Sequence, residues 1–154
     1  MIQVFCNKRG SGKTKRLIEL ANSKLTTSKG DSIYIDEKTN NIIQIDRKIR
    51  FISTDEFNIS NCDSFYGLIC GIISENYDIE NIYVDSLLSI LSCEIIETYD
   101  LFKKLYELIN IFNINLFINI DFERSEIPKF IEEYLNWNWK RLLISVYSEE
   151  KTAV

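Results

Sequence analysis

The chain alternates short apolar runs with longer segments in which apolar residues recur every three to four positions. The apolar runs at residues 2–6, 50–53, 81–84, 115–120 and 141–147 predict strands, and the periodic segments at 13–28, 63–77 and 97–113 predict amphipathic helices. Residues 32–36 and 42–46 are β-rich runs separated by a polar pentapeptide, which predicts a β-hairpin. A further helix is expected to start near Pro128.

Strands joined through helices predict an α/β fold with right-handed crossovers. We expect a three-layer α/β/α sandwich with a mostly parallel sheet and the β-hairpin at its edge. A chain of 154 residues fits one domain, here residues 1–147, followed by a loose tail at 148–154.

A glycine-rich loop joins the first predicted strand to the first predicted helix. In order it contains Asn7, Lys8, Arg9, Gly10, Ser11, Gly12, Lys13 and Thr14. It matches the phosphate-binding pattern G-x-x-x-x-G-K-[ST] except at its first position, where asparagine replaces glycine. Asparagine tolerates positive φ better than other non-glycine residues, so the turn is expected to survive the replacement. The alternative is a surface turn with no chemical role.

In a loop of this kind, backbone N–H groups and the helix N-terminus bind phosphate. We expect the side chain of Lys13 to reach the β- and γ-phosphates and the hydroxyl of Thr14 to contact Mg²⁺. The predicted nucleotide-binding residues of this region are Asn7, Arg9, Gly10, Ser11, Gly12, Lys13, Thr14 and Lys15.

Carboxylates follow three of the predicted strands. Asp85 ends the strand at 81–84, where a carboxylate can hold Mg²⁺ opposite Thr14. Asn119 and Asp121 lie at the end of the strand at 115–120 and are expected near the γ-phosphate. Asp55 and Glu56 follow the strand at 50–53; they are either site residues at the carboxyl edge of the sheet or part of an acidic connecting loop.

Composition and charge exclude several classes of protein. The net charge of -5 and the pI near 4.9 argue against binding nucleic acid through a broad basic surface. Four cysteines without a C-x-x-C pair, and no histidine, argue against a zinc site, and the lack of histidine excludes histidine-based catalysis. With no signal peptide and no apolar run long enough to span a bilayer, we expect a cytoplasmic protein without membrane insertion.

With its phosphate loop and Asp85, the chain resembles the P-loop NTPase family. The strand at 115–120 is similar to the additional strand of one subgroup, which lies between the phosphate-loop strand and the Mg²⁺-carboxylate strand. This resemblance implies a strand order, named by first residue, of Arg141, Ile2, Asn115, Asn81 and Arg50, with the hairpin near the edge.

The head of the chain and residues 67–73, 83–85 and 126–128 are also similar to small P-loop proteins of low-GC bacteria labelled twitching-motility ATPase-like, and this resemblance spans most of the chain. That resemblance implies nucleotide binding and not motor function, because pilus-retraction motors are much longer and use histidine-containing motifs.

The resemblance also bears on catalysis. Many members of the subgroup place a glutamate directly after the Mg²⁺ carboxylate, where this chain has Ser86. A recombinase-like arrangement, with the glutamate on a neighbouring strand end, implies Glu56 as the catalytic base and Asp55 as the second choice, beside Lys13.

The resulting expectation is a Mg²⁺-dependent ATP-binding protein with weak or partner-stimulated ATPase activity. ATP is preferred over GTP only as the commoner nucleotide, and the source of an arginine finger is left open. The alternatives are a degenerate P-loop domain that binds a protein partner and a small-molecule kinase, and a homo-oligomer is also open.

Overall fold

The computed structural model describes residues 1–135. Its strands are β1 (Ile2–Asn7), β2 (Asp31–Asp36), β3 (Arg50–Ser53), β4 (Ile79–Val84) and β5 (Asn115–Asp121). Its α-helices are α1 (Lys13–Lys24), α2 (Cys62–Glu75), α3 (Leu87–Leu91), α4 (Tyr99–Phe112) and α5 (Lys129–Glu132). Short 3₁₀ helices occupy Thr39–Gln44, Asp55–Phe57, Ile95–Thr98 and Arg124–Glu126.

The five strands form one sheet in the order β1-β5-β4-β2-β3, and every neighbouring pair is parallel. The strand β5 therefore lies between β1 and β4, as the resemblance implied. In the register, Asn7 is opposite Asp121 and Val84 is opposite Ile118. All five strands end at the same edge of the sheet, so the residues that follow them meet there.

The predicted β-hairpin was wrong. Residues 32–36 belong to β2, which pairs in parallel with β4 on one side and β3 on the other. Residues 42–46 form no strand: Ile42 and Ile43 lie in the 3₁₀ helix Thr39–Gln44 and are 47% and 89% exposed. The local pattern misled because five consecutive residues of β2 are buried, as expected for an interior parallel strand that is covered on both faces.

The position of β3 also differs from the expectation. The strand at Arg50 was expected beside the strand at Asn81, but β2 lies between them and β3 is the edge of the sheet among the described strands. This displacement moves the residues after β3 away from β4.

Some of the predictions lie outside the described residues. They are the predicted strand at 141–147, Trp137, Trp139 and the tail at 148–154.

Two different cores cover the two faces of the sheet. On the α1 face an aromatic row crosses four strands, with ring centroids 5.0 to 6.3 Å apart, through Phe117, Tyr83, Tyr34 and Phe51. Leu17 and Leu20 of α1 pack against this row. The opposite face is aliphatic and is covered by α2, α3 and α4. Since both faces of the sheet are buried, close packing holds the strands in position relative to one another, and with them the residues at the carboxyl edge.

Helix ends in the structure refine the predicted boundaries. Asn61 caps α2 by accepting a hydrogen bond from the backbone N–H of Ser64 at 2.8 Å. The Ser64 hydroxyl oxygen accepts one from the backbone N–H of Asn61 at 3.3 Å, which completes a capping box. Pro128 precedes α5, and Leu135 then forms an isolated parallel bridge with Val4 of β1. No helix within residues 1–135 is long and apolar enough to cross a membrane.

Candidate functional site

The loop between β1 and α1 is shaped by two glycines. Gly10 and Gly12 have φ of 81° and 83°, in the left-handed region that favours glycine, and Gly12 immediately precedes α1. A Cβ atom built on either glycine would meet no atom within 4 Å. The glycines thus leave open space above a helix N-terminus, which is the kind of cradle that holds a phosphate.

Asn7 is the last residue of β1 and needs no left-handed backbone. Among residues 1–135 the non-glycine residues with positive φ are Asn58, Ser86, Ser92 and Asn113. The Oδ1 atom of Asn7 instead accepts a hydrogen bond from the backbone N–H of Lys8 at 2.9 Å. Asparagine therefore fits this position by stabilising the start of the loop, and the expected tolerance of positive φ is not what is used.

Lys13 is folded inward against its own loop and is only 6% exposed. Its Nζ atom donates to the backbone oxygens of Asn7 and Lys8 at 2.8 and 2.9 Å and to the hydroxyl of Ser11 at 3.3 Å. It also forms an ion pair with Asp121 at 2.6 Å. A lysine at the first position of a helix would normally be solvated. Lys13 is instead held at the wall of the cleft described next, where an anion can reach its positive charge.

A cleft of about 940 Å³ opens above the loop. Its lining includes predicted site residues, namely Arg9, Gly10, Gly12, Lys13, Thr14, Lys15 and Asp121. It continues past the first turns of α1 to the end of β2 and the start of α3, where its lining includes Asp36, Glu37, Asn41, Ser86 and Ser89. The volume is at the upper end of the range for small-molecule sites.

Asp85 is 2% exposed and is not among the residues that line the cleft, although the next residue, Ser86, lines it. Its Oδ2 atom accepts a hydrogen bond from the hydroxyl of Tyr34 at 3.3 Å, and its Oδ1 atom accepts one from Nδ2 of Asn119 at 2.9 Å. All of these donors are neutral, and none of the four ion pairs found in residues 1–135 involves Asp85. A buried carboxylate with no cation beside it is costly, which makes this a position where a bound cation would be stabilising.

Asn119 adds a second unmet requirement at the same place. Its Nδ2 atom is used by Asp85, while its Oδ1 atom is buried and finds no hydrogen-bond donor in the described part of the chain. A buried acceptor without a donor costs about 1–3 kcal/mol. A water on a metal ion next to Asp85 would supply that donor.

Two carboxylates that the sequence analysis did not select lie on the neighbouring strand end. Asp36 ends β2, is 8% exposed and accepts hydrogen bonds from Nδ2 of Asn41 at 2.9 Å and from the backbone N–H of Glu37 at 2.7 Å. Burial raises the pKa of Asp36, the hydrogen bond from Asn41 opposes that rise, and the charge of Asp85 adds to it. The half-buried Glu37 accepts a hydrogen bond from the Ser89 hydroxyl at 2.6 Å.

A signal for these two residues is present in the sequence. Asp36 follows a buried apolar run just as Asp85 does, so the same rule would have selected both. The assignment of residues 32–46 to an edge hairpin hid this parallel, because it treated Glu37 as a turn residue.

Asp55 and Glu56 do not meet the other predicted residues. They are exposed, lie in the 3₁₀ helix after β3, and are absent from the lining of the cleft. Glu56 instead lines a smaller groove of about 370 Å³ beside Arg50 and α2. Their separation from the loop follows from the insertion of β2 between β3 and β4.

The described residues fit a magnesium ion of the kind that accompanies phosphates. No group of three or more Asp, Glu, Cys or His residues in positions 1–135 could hold a metal by itself. Mg²⁺ commonly uses one or two protein oxygens and takes its other ligands from water and phosphate. Thr14 lines the cleft, and Asp85 directly precedes Ser86, which also lines it, so a hydroxyl and a carboxylate are the candidate protein ligands.

Comparisons of the chain with protein-family models and with curated proteins find no match. The assignment of function therefore depends on the geometry of the cleft and its residues.

Proposed function

We propose that the protein binds a magnesium nucleoside triphosphate, ATP in the first instance, in the cleft above the β1–α1 loop. The observation that carries this proposal is the combination of buried Lys13 in an open glycine cradle with the buried carboxylate of Asp85 at the same sheet edge, which forms no ion pair within residues 1–135. β5 contacts both groups, since Asp121 binds Lys13 and Asn119 binds Asp85. Membership of the P-loop NTPase family, with β5 as the additional strand, is part of this proposal.

Each group has a distinct task in binding. The backbone of Gly10, Ser11 and Gly12 and the positive end of α1 hold the phosphates, and Lys13 exchanges Asp121 for a phosphate oxygen. Arg9 and Lys15, both exposed at the cleft, add positive potential at its entrance. Thr14 and Asp85 would hold Mg²⁺, which would neutralise charge on the β- and γ-phosphates.

We further propose that hydrolysis is slow or stimulated by a partner, and that Glu37 orients the attacking water. The strand next to β4 is β2, so the carboxylates at the neighbouring strand end are Asp36 and Glu37, and Glu56 is not among them. The hydrogen bond from Ser89 holds Glu37 at the cleft wall. Ser86, the residue after Asp85, has no carboxylate to serve as base, which agrees with a low intrinsic rate.

Binding is tested by calorimetry with Mg·ATP on the parent protein, Lys13→Ala and Lys48→Ala. Lys48 is an exposed lysine outside the cleft and serves as the matched control. A charge-assisted hydrogen bond is worth about 1.5–3 kcal/mol, so we expect Lys13→Ala to weaken binding by roughly 10- to 150-fold and Lys48→Ala to leave it unchanged. Absence of binding to the parent protein, or equal binding by Lys13→Ala, would refute the proposal. Nucleotide-independent capture of a protein would then favour the interaction-module alternative.

The role of Glu37 is tested by measuring phosphate release from Mg·ATP by Glu37→Gln and Glu56→Gln. Loss of a positioned base lowers rates by about 10²- to 10⁴-fold, so we expect a large decrease for Glu37→Gln and a parental rate for Glu56→Gln. The reverse result would restore Glu56, the base implied by the family resemblance, and remove Glu37.

A phosphotransferase is the second candidate, and the extension of the cleft beyond the loop favours it. The far part of the cleft is lined by Asp36, Asn41 and Gln44 and has room for a polar acceptor. Asp36 is a buried carboxylate with a raised pKa, a property suited to accepting a proton from a hydroxyl group. Incubation with Mg·ATP and a panel of small polyols distinguishes the two activities, because a kinase yields a phosphorylated acceptor and an ATPase yields free phosphate.

A further inference from the structure

A second pocket, which we call the aromatic pocket, lies between α4 and the segment that contains α5. Its volume is about 340 Å³, and it shares no lining residue with the cleft above the β1–α1 loop. Aromatic side chains form most of its lining, and every other lining side chain is charged. The aromatic residues are Tyr99, Phe102, Tyr106, Phe130 and Tyr134, and the charged ones are Lys103, Glu107 and Glu133.

The helical repeat of α4 places three of these rings on one face of the helix. Tyr99, Phe102 and Tyr106 follow one another at intervals of three and four residues, and side chains at those intervals are neighbours on a helix surface. Phe102 is 1% exposed, whereas Tyr99 and Tyr106 are 54% and 48% exposed. The two tyrosines lie about 10 Å apart along the helix axis, given a rise of about 1.5 Å per residue. They therefore stand on either side of a buried ring.

Phe130 and Tyr134 extend this row of rings from the other side of the pocket. The ring centroids of Tyr99 and Phe130 are 5.3 Å apart with the planes at 90°, and those of Phe102 and Tyr134 are 5.7 Å apart at 24°. Tyr106 and Tyr134 are 6.2 Å apart at 46°. Because neighbouring rings are tilted by different angles, they form a bent wall and not a flat stack. The face of an aromatic ring carries negative electrostatic potential, so a bent wall of rings can surround a cation.

The charged residues of the aromatic pocket favour the same sign of ligand. Glu107 and Glu133 are exposed, and neither forms an ion pair within residues 1–135. Lys103 is the one basic residue of the lining, so the lining has a net charge of about -1 at neutral pH. In the described part of the chain, the cation–π contacts are formed by Lys24 and Lys104, and not by Lys103. The rings of the pocket are thus left without a lysine over them, beside two carboxylates.

We propose that the aromatic pocket binds an organic cation of the quaternary ammonium class. The methyl groups of a trimethylammonium group would contact the ring faces, and Glu107 and Glu133 would attract its charge. Such a cation has no N–H groups that must give up hydrogen bonds to water, so aromatic rings bind it at a lower desolvation cost than a primary ammonium. A free quaternary amine and the trimethylated lysine side chain of a peptide share this chemistry. This site is separate from the cleft and does not depend on nucleotide binding.

The test is an NMR titration of the ¹⁵N-labelled full chain with choline and with its uncharged analogue, in which carbon replaces the quaternary nitrogen. We expect saturable shifts within residues 99–107 and 130–134, with a Kd for choline on the order of 1 mM. The analogue has the same shape without the charge, so it should bind at least about fivefold more weakly. Lack of saturation at roughly 50 mM choline, equal affinity for the analogue, or shifts confined to other residues would overturn the proposal.

Variants of exposed residues separate the rings from the carboxylates. Tyr106→Leu keeps an apolar side chain and removes the ring, so choline should bind about 2- to 5-fold more weakly. Tyr77→Leu is its control, because Tyr77 is 74% exposed and lies outside the pocket.

The charges are tested in the same titration. Glu107→Gln should weaken choline binding by about twofold and Lys103→Gln should tighten it by a similar factor, since exposed charge pairs contribute little. Glu132→Gln, an exposed glutamate of α5 outside the lining, should match the parent protein. Parental affinity in both Tyr106→Leu and Glu107→Gln would overturn the proposal.

A peptide titration then assigns the source of the cation. A short peptide with a central trimethyllysine is compared with choline and with the same peptide carrying unmodified lysine. Tighter binding of the trimethylated peptide than of choline supports the proposal and assigns the pocket to a protein side chain. Tighter binding of choline supports it and assigns a free quaternary amine. Equal binding of the modified and unmodified peptides would contradict selection for a quaternary ammonium group.

Discussion

Replacing Asp85 with asparagine is expected to raise stability and lower magnesium-dependent binding at the same time. The substitution keeps the shape of the side chain and removes its charge. The carboxylate is 2% exposed and accepts hydrogen bonds from Tyr34 and Asn119, but it forms no ion pair with a cation of the described residues. A residue retained for structure alone would not show these opposite effects.

The size of the stability gain follows from two terms. Hydrogen bonds to a charged acceptor contribute about 1 kcal/mol more than bonds to a neutral one, so weakening two of them costs about 2 kcal/mol. Removing a buried, unpaired charge recovers a desolvation penalty of several kcal/mol. The net expectation for Asp85→Asn is a rise of about 1–3 kcal/mol in the free energy of unfolding, or roughly 2–12 °C in Tm for a domain of this size.

The assay is urea denaturation in the presence of a chelator, paired with calorimetric titration of ATP with and without Mg²⁺. Asp78→Asn is the control, because Asp78 is an exposed aspartate and such substitutions change stability by less than about 0.5 kcal/mol. We expect the parent protein to bind ATP more tightly with Mg²⁺ than without it, and Asp85→Asn to lose that difference. Destabilisation of Asp85→Asn by more than about 1 kcal/mol would refute the argument that the charge is uncompensated. An unchanged magnesium dependence would refute its role at the metal.

Three further predictions concern residues around the cleft. The pKa of Asp36 is raised above its ordinary value of 3.8, so the stability that Asp36 contributes is full below that pH and is lost as the pH rises through the folded-state pKa. The free energy of unfolding of the parent protein, minus that of Asp36→Asn, should therefore fall from pH 4 to pH 7 in urea titrations. Gly12→Ala should lower the free energy of unfolding by about 1–2 kcal/mol because of the left-handed backbone at this position alone, since the new Cβ meets no atom. Gly67→Ala within α2 should raise it by about 0.5–1 kcal/mol, and equal urea midpoints for the two variants would contradict this. Asp121→Asn should tighten Mg·ATP binding by up to about fivefold in calorimetry, because it releases Lys13 from an ion pair worth up to about 1 kcal/mol at its partly exposed position, and weaker binding would instead assign Asp121 a direct role in holding the nucleotide.

The sequence predicts the candidate site best where the residues of that site are contiguous. The β1–α1 loop was predicted as strand, glycine turn and helix, and the structure places those elements at Ile2–Asn7 and Lys13–Lys24. Local patterns are reliable there because a left-handed glycine and a helix start depend on neighbouring residues only. The same holds for Asp85, which an apolar strand run identifies without reference to the rest of the fold.

Pairing of distant strands was where prediction failed. Residues 32–36 carry the same apolar pattern whether they form a hairpin or an interior parallel strand, and only burial on both faces distinguishes the two cases. That error placed Glu56 beside β4 and left Asp36 and Glu37 out of the candidate site.

By itself, the sequence determined the class of the fold, the order of strand, glycine turn and helix around residues 7–14, and the position of Asp85 directly after a strand, because each depends on short-range periodicity or on a few adjacent residues. Only the tertiary structure decided that β2 lies next to β4, that Lys13 is held by Asp121, and that Asp85 is buried with no ion pair in the described part of the chain. The physical reason is that strand order and side-chain burial are set by long-range packing of two cores against one sheet, and this packing joins residues that no local pattern relates.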